Sequence, residues 1–219
     1  MCIRDSACAV FLREEARLKA RRPLYLEAAI GVSSHGKATE IDSKAPVEIT
    51  VPGYGSVRAA ARLDRVDQIG PPESREFAIC DYKSGSSSKY EHPDPFSQGR
   101  IVQHALYMSV LEKTLRHRCG RGAVVRDFCY FFPGARDRGL RRVYRPGDLQ
   151  ESSLILANLC RIVASGSFLA TNDSETDCKF CDYSTICRDA AEVAASSRRK
   201  LEDEENVSLK PMKELRNRE

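Results

Sequence analysis

Two short stretches of the chain constrain its fold most, because each places charged side chains inside an apolar strand pattern. They are residues 62–67 (RLDRVD) and residues 79–85 (ICDYKSG). Residues two apart on a strand point to the same face, so Asp81 and Lys83 project together. An antiparallel neighbouring strand would bring Asp64 to the same place. Two carboxylates and a lysine held side by side on rigid strands are costly unless something neutralises them.

A hard divalent cation, Mg²⁺ or Mn²⁺, would neutralise this group, with Asp64 and Asp81 as metal ligands. Mg²⁺ accepts a few carboxylates together with waters and phosphate oxygens. The metal would polarise a phosphodiester and lower the pKa of a bound water, and Lys83 would orient that water or stabilise charge on phosphorus. The residues alone leave an alternative open, in which Asp64 and Asp67 pair with neighbouring arginines and Asp81 with Lys83 as ordinary salt bridges.

Length and composition allow one α/β domain, or one domain with a small appendage, in 219 residues of which 42% are hydrophobic. The sequence has no apolar run long enough to span a membrane and no apolar secretion signal. We therefore expect a cytoplasmic protein without a membrane partner. Nine cysteines in such a chain are more typical of metal binding than of disulfides.

The hydrophobic pattern predicts helices and strands in the order helix, three strands, helix, strand, helix. The predicted helices cover residues 9–30 (interrupted at Pro23), 96–118 and 148–164, the last with Asp148 as N-cap, and the predicted strands cover residues 47–51, 57–69, 77–83 and 124–132. The first three strands are expected to form an antiparallel meander. This order predicts an α/β core with a mixed central sheet flanked by helices.

Arginines are concentrated between residues 116 and 145, where acids are few. They are Arg116, Arg118, Arg121, Arg126, Arg136, Arg138, Arg141, Arg142 and Arg145. Such a stretch would suit a surface that faces nucleic-acid phosphates. A solvated basic face is the equally plain alternative.

Taken in order, these motifs resemble the PD-(D/E)XK nuclease superfamily, and more narrowly the RecB-like nuclease domains of bacterial helicase–nucleases such as RecB and AddB. The resemblance covers roughly residues 20–190 and implies a restriction-endonuclease-like core. It aligns Asp64 with the ligand of the second metal-ligand motif, and Asp81 and Lys83 with the D-x-K motif. It implies hydrolysis of DNA phosphodiester bonds with Mg²⁺ or Mn²⁺.

The resemblance extends to three more side chains. Gln103 and Tyr107 match a Gln-x-x-x-Tyr helix motif and lie on one helical face, although helix packing alone would also explain Tyr107. Glu27 ends a segment, PLYLE, that is similar to the family's P-x-x-x-E motif. The resemblance implies that all three support the active site, whereas Glu27 taken alone would be a surface glutamate.

A second motif lies near the C-terminal end, where Cys178, Cys181 and Cys187 form C-x2-C-x5-C. Three thiolates so close together suit a soft metal. The pattern is similar to the iron–sulfur staple of AddB-type nucleases and of CRISPR adaptation nucleases, which implies a [4Fe–4S] cluster whose fourth cysteine comes from upstream. Cys8 is a candidate for that ligand, and loss of the ligand upstream is the alternative. A zinc site or unligated thiols are also open.

We divide the chain into three parts. Residues 1–6 resemble a translated sequencing adapter and are expected to be a non-native leader, residues 7–190 form the nuclease domain with the cysteine cluster at 178–187, and residues 191–219 form a charged tail that is helical or disordered. The family's Gly-x-x-x-His helix has no counterpart before Glu27. We therefore expect a fragment whose native start lies upstream.

The resemblance implies a place in the cell as well as an activity. The chain would be the nuclease end of a helicase–nuclease that processes double-strand breaks for recombinational repair, with DNA as substrate and a helicase domain or subunit as partner. A stand-alone CRISPR-adaptation nuclease is a neighbouring alternative. A catalytically silent DNA-binding scaffold with the same fold is an alternative from another class.

Overall fold

The computed structural model describes residues 3–34, 36–134, 136–179 and 181–218, with side chains from Ser6 onward. Met1 and Cys2, the first residues of the expected leader, lie outside the described residues. The helices are α1 (Ile3–Glu15), α2 (Gln103–Cys119), α3 (Ser152–Ser165), α4 (Ser174–Asp177), α5 (Ser184–Cys187), α6 (Ala190–Glu202) and α7 (Lys210–Arg216). The strands are β1 (Arg21–Ile30), β2 (Val47–Val51), β3 (Gly55–Ala59), β4 (Ala61–Ile69), β5 (Glu76–Tyr82), β6 (Val124–Phe132) and β7 (Leu140–Tyr144).

Five strands form a mixed central sheet in the order β1-β4-β5-β6-β7. Every neighbouring pair is antiparallel except β5 and β6, which are parallel. A parallel pair requires a long crossover connection, and α2 supplies it. The expected restriction-endonuclease-like α/β core, a mixed sheet flanked by helices, is confirmed.

The two faces of the sheet are covered differently. The larger core includes side chains of α2, α3 and one face of β4, β5 and β6, with Leu111, Ile79 and Phe128 fully buried. On the other face a small cluster of Cys80, Cys129 and Phe131 is covered by Phe11 of α1 and by Tyr82. Arg65, Asp67 and Asp81 are the charged residues of β4 and β5 that are buried between these layers, whereas Asp64 is partly exposed.

The prediction of a helix over residues 9–30 is wrong after Glu15. The chain forms β1 from Arg21 to Ile30, an edge strand whose partner in the sheet is β4. An edge strand tolerates Pro23, because the missing N–H there breaks no ladder on a free side. The last three residues of β1 are fully buried, so sheet pairing prevails over the helical pattern of charges.

The predicted meander is also wrong in part. Residues 57–69 divide at Ala60 into β3 and β4, and β2 pairs with β3 as a separate two-stranded sheet. Only β4 and β5 of the predicted meander are neighbours in the central sheet. The strand β7, which lies inside the arginine-rich stretch, was not predicted at all.

Two predicted helix starts lie too early. The helix α2 begins at Gln103, not at residue 96, because the backbone before it turns through left-handed conformations. The helix α3 begins at Ser152, and Asp148 does not cap it. Instead, Asp148 accepts a hydrogen bond from the backbone N–H of Arg145 over 2.8 Å, within a short 3₁₀ turn.

The C-terminal tail contains two helices, α6 and α7. Leu215 of α7 is 1% exposed and belongs to the large core. Asn158 of α3 donates a hydrogen bond to Glu214 over 2.9 Å, so α7 packs directly against α3. Among the described residues, none of the helices has the length and apolar character that crossing a membrane would need.

Candidate active site

The two aspartates of the strand pattern lie at neighbouring positions of β4 and β5. The strands pair with Arg65 opposite Cys80, so the next position along places Asp64 opposite Asp81. Residues directly opposite each other project to one face of the sheet. The backbone N–H of Tyr82 donates to Asp64 Oδ2 over 2.8 Å, which holds the Asp64 carboxylate against the end of β5.

Asp81 forms a closed group with Lys83 and Gln103. Lys83 Nζ lies 2.5 Å from Asp81 Oδ2, and Gln103 Nε2 donates to Asp81 Oδ1 over 2.9 Å. Lys83 Nζ also donates to Gln103 Oε1 over 3.2 Å. The first residue of α2 is thereby bound to the end of β5.

Burial dominates the electrostatics of Asp81, whose exposed fraction is 4%. Burial raises the pKa of Asp81, Lys83 opposes that rise, and the nearby charge of Asp64 adds to it. Among the residues that the structure describes, the buried Asp81 Oδ2 has no partner other than the Lys83 ammonium. A buried carboxylate with a second carboxylate beside it favours a cation, and in the structure the Lys83 ammonium supplies the positive charge at Asp81.

Lys83 is held by its backbone and by an aromatic ring. Its backbone N–H donates to the Phe131 carbonyl over 2.9 Å, which continues the pairing of β5 with β6. Its ammonium lies 5.2 Å from the centroid of the Tyr130 ring, a favourable cation–π distance. The lysine is therefore directed at the group formed with Asp81 and Gln103.

Glu27 lies on β1 beside Asp64. It falls between the paired positions Leu26–Arg65 and Ala28–Leu63, which places it opposite Asp64, and its φ of 53° is left-handed. Glu27 is exposed, and its carboxylate shares a cleft of about 670 Å³ with Asp64. The cleft is lined by Phe11, Glu15, Pro23, Leu26, Glu27, Asp64, Arg65 and Tyr82.

Tyr107, one helical turn after Gln103, packs into the core. Its ring meets the Phe128 ring edge-on, with 6.3 Å between the centroids. Within the described part of the chain it makes no hydrogen bond to Asp64, Asp81 or Lys83. The structure thus brings Gln103 to the carboxylates and places Tyr107 in the layer behind them.

Arg65, a buried arginine that was not predicted as a site residue, also lines the cleft. Arg65 bonds to Asp67 over 2.5 Å, to Glu15 of α1 over 2.7 Å and to the Tyr82 hydroxyl over 3.2 Å. Arg141 of β7 bonds to the same glutamate over 3.0 Å. The network fixes α1 over the sheet beside the cleft.

The signal for Arg65 was present in the strand pattern. Arg65 and Asp67 are two residues apart on a strand, so their side chains share the face opposite to that of Asp64. An ion pair between them could therefore be expected from the sequence. The alternative of ordinary salt bridges therefore holds for Asp67, and the Asp81–Lys83 ion pair is also present. Asp64 forms no ion pair among the described residues.

The donor set at Asp64 and Asp81 suits Mg²⁺ in its chemistry. Mg²⁺ is commonly held by one or two carboxylates, with waters and substrate oxygens completing its shell. Within the described residues, no group of three or more His, Cys, Asp or Glu side chains is arranged to hold a metal ion. The two carboxylates would supply part of a shell that a phosphate must complete.

The three cysteines of the C-terminal motif lie around α4 and α5, and within the described residues they form no group that is arranged to hold a metal ion. Burial raises the pKa of Cys178, and the thiols of Cys181 and Cys187 raise it further. Phe180, between them, lies outside the described residues. Cys8 is exposed on α1, and in the part of the chain that is described it joins no metal-binding group.

The arginine-rich stretch does not form one continuous patch of free charge. Four of its members pair with acids: Arg116 with Glu112, Arg126 with Glu76, Arg141 with Glu15 and Arg142 with Glu91. Part of this stretch therefore stabilises the sheet and α1. The phosphate-facing role of the remaining arginines stays a prediction.

Comparison with known proteins gives two matches. A model of the PD-(D/E)XK nuclease superfamily matches residues 3–188. One of the subunits of an ATP-dependent helicase/deoxyribonuclease from Symbiobacterium thermophilum is 34% identical over 93 residues. Those residues are 42% of this chain and only 7% of the relative, so the chain corresponds to a small part of that protein.

Proposed function

This chain belongs to the PD-(D/E)XK nuclease superfamily, and from that premise we propose that it is a metal-dependent deoxyribonuclease. One observation carries the proposal: Asp64 and Asp81 face each other on neighbouring strands, with Lys83 and Gln103 bound to the second of them. Two adjacent carboxylates, one of them buried, are poised to hold a cation.

Each side chain has a separate task in the proposed reaction. Asp64 and Asp81 would hold Mg²⁺ or Mn²⁺, which supplies Lewis acidity toward the scissile phosphate when bound. Lys83, now paired with Asp81, would turn its ammonium toward the attacking water or the phosphate oxygens. Gln103 would keep the Asp81 carboxylate oriented, and Glu27 would face the same cleft from β1.

The relative's name supports the substrate and the setting that we propose. The name of that protein joins helicase and deoxyribonuclease, so we propose DNA as substrate and a helicase domain or subunit as partner, in the repair of double-strand breaks. We further propose that Cys178, Cys181 and Cys187 hold a [4Fe–4S] cluster with a structural role, and the C-x2-C-x5-C spacing of the sequence supports this proposal. Tyr107 would act by supporting α2.

The test is cleavage of end-labelled DNA by the purified chain with Mg²⁺, with Mn²⁺ and with a chelator. We expect cleavage that depends on the metal and that Asp64→Asn abolishes. Glu205 is exposed, lies between α6 and α7 and does not line the cleft. It supplies the matched control Glu205→Gln, which should cleave normally. Cleavage that continues in the presence of the chelator would defeat the proposal. A failure of folded protein to cleave DNA after Mg²⁺ or Mn²⁺ has been added would also defeat it.

A further inference from the structure

The turn before α2 has an unusual backbone. Ser97, Gln98 and Gly99 are consecutive, with φ values of 47°, 57° and 81°. Left-handed conformations in residues other than glycine are strained and persist only where the surroundings hold them. Ser97 and Gln98 both carry this strain, so something must fix the turn.

Part of the restraint comes from inside the turn. Asp94 is 3% exposed, and its carboxylate accepts the backbone N–H of Phe96 over 3.1 Å and that of Gln98 over 2.7 Å. The N–H of Ile101 donates to the Phe96 carbonyl over 3.0 Å. These bonds close the turn around one buried carboxylate.

The remaining restraint comes from the far end of the chain, through α7 and the residues after it. Arg216 donates to the Gln98 carbonyl, Gln98 Nε2 donates to the Arg218 carbonyl over 3.2 Å, and Arg218 pairs with Asp94 over 3.3 Å. Leu215 packs so closely that a Cβ on Gly99 would lie 3.1 Å from its Cδ1. The turn is thus held by α7 and by the segment that follows it.

The turn leads directly into the candidate active site. Gln103 follows Gly99 closely in the chain, and its amide binds both Asp81 and Lys83. The direction in which α2 starts, and hence the reach of Gln103, depends on how the turn ends. Because the rate depends on accurate placement of the groups around the reacting atoms, a shift of Gln103 would lower it.

We propose that Arg216 is a positioning residue of the active site: from α7 it holds the turn at Ser97–Gly99 in its left-handed conformation and so sets the place of Gln103. The part of this inference that concerns catalysis rests on the proposed nuclease function. The coupling between Arg216 and the start of α2 does not rest on that function, and it can be measured separately.

The first experiment measures hydrogen exchange in the full chain, because it needs no activity. The reporters are the backbone amides of Gln98, Ile101 and Leu106, which donate to Asp94, Phe96 and Val102. Arg216→Ala should speed their exchange about tenfold or more if α7 holds the turn. Lys213→Ala is the control, since Lys213 lies on the same helix and bonds to the Asp203 carbonyl instead. Unchanged exchange in Arg216→Ala would overturn the proposal.

The second experiment is a rescue. Glycine adopts positive φ without the penalty of a side chain, so Ser97→Gly should favour the turn without help from Arg216. In Arg216→Ala we expect kcat for DNA cleavage to fall about tenfold with KM little changed. Adding Ser97→Gly should restore most of that loss and slow the reporter amides again. A double variant as impaired as Arg216→Ala, in kcat and in exchange, would contradict the inference.

The two readouts keep the proposals apart. A chain that never cleaves DNA but shows the exchange pattern would defeat the nuclease function and retain the coupling. Equal loss of kcat in Lys213→Ala and Arg216→Ala, with equal exchange, would mean general destabilisation and would defeat the positioning role. A thermal unfolding curve for each variant confirms that the exchange reports on folded protein.

Discussion

Gln103 donates to Asp81 and accepts from Lys83 with the same amide group, over 2.9 and 3.2 Å. A carboxylate can only accept and an ammonium can only donate, so the two ends of the amide are fixed by its neighbours. At position 103, glutamate could accept from Lys83 but not donate to Asp81, and lysine could donate to Asp81 but not accept from Lys83. The start of α2 is therefore chemically matched to the end of β5.

This match predicts the effect of replacing Gln103. Gln103→Glu would place a third carboxylate beside Asp81, and we expect cleavage to fall about a hundredfold. Gln103→Ala removes the bonds without adding charge, so a smaller loss of about tenfold is expected. Steady-state kinetics with a labelled DNA measures both. Gln150 is exposed, so Gln150→Glu is the control for an added negative charge. If Gln150→Glu lowered the cleavage rate as much as Gln103→Glu does, Gln103 would have no special role in the active site.

The ion network under α1 predicts a strong effect on stability. The side chains of Arg65 and Asp67 are 3% and 2% exposed, and removing one partner leaves the other charged and buried. Arg65→Ala should therefore lower the free energy of unfolding by about 3–5 kcal/mol. Urea unfolding followed by circular dichroism measures this. Arg58→Ala, at an exposed position of β3, should change stability little, and an equal loss in both variants would contradict the account.

The buried His104 predicts acid sensitivity. It is fully buried among aromatic rings, and within the described part of the chain neither ring nitrogen has a hydrogen-bond partner. Burial lowers its pKa from 6.5 to about 4. Between these values the unfolded chain binds a proton that the folded chain does not, so stability falls as the pH falls. The loss should be about 2 kcal/mol between about pH 7.5 and about pH 5.

The effect of His104 is isolated by the variant His104→Phe. In the wild type the His104 ring stacks on Tyr144 with 4.3 Å between the centroids, and phenylalanine keeps an aromatic ring in that place. On going from neutral to acid pH, wild type should lose stability relative to His104→Phe, because only wild type carries the buried imidazole. Urea unfolding at the two pH values gives the measurement. Parallel pH curves for the two proteins would show that His104 is not the group responsible.

The cysteine segment predicts a metal content. Chain prepared without oxygen should be brown and contain about four iron atoms if a [4Fe–4S] cluster is bound. Cys181→Ser should lose the colour and the iron, whereas Cys160→Ser on α3 should keep both. Protein that is colourless and carries zinc would instead support the structural zinc alternative.

Which features could be predicted from the sequence depends on the range of the interactions involved. Alternation within residues 62–67 and 79–83 was enough to place Asp64, Asp81 and Lys83 together, because strand pairing fixes which side chains share a face. The strand β1 was missed since its charges mimic a helix, and its partner β4 lies more than 30 residues away.

Contacts between distant segments account for the remaining differences. The late start of α2 depends on Arg216 and Leu215, more than 100 residues after the turn that they hold. Arg65 could have been suspected from Asp67 two residues on, but Glu15 and Arg141 could not. No local sequence pattern indicates that Arg141 of β7 bonds to Glu15 of α1.

The most direct measurement is metal-dependent DNA cleavage by Lys83→Ala, with Lys89→Ala as the matched control. Lys89 lies near an aromatic ring too, 4.9 Å from the Tyr90 centroid, and within the described residues it has no bond to either aspartate. We predict a loss of about a hundredfold or more for Lys83→Ala and a rate near that of the wild type for Lys89→Ala. Cleavage by Lys83→Ala at the wild-type rate would contradict the account.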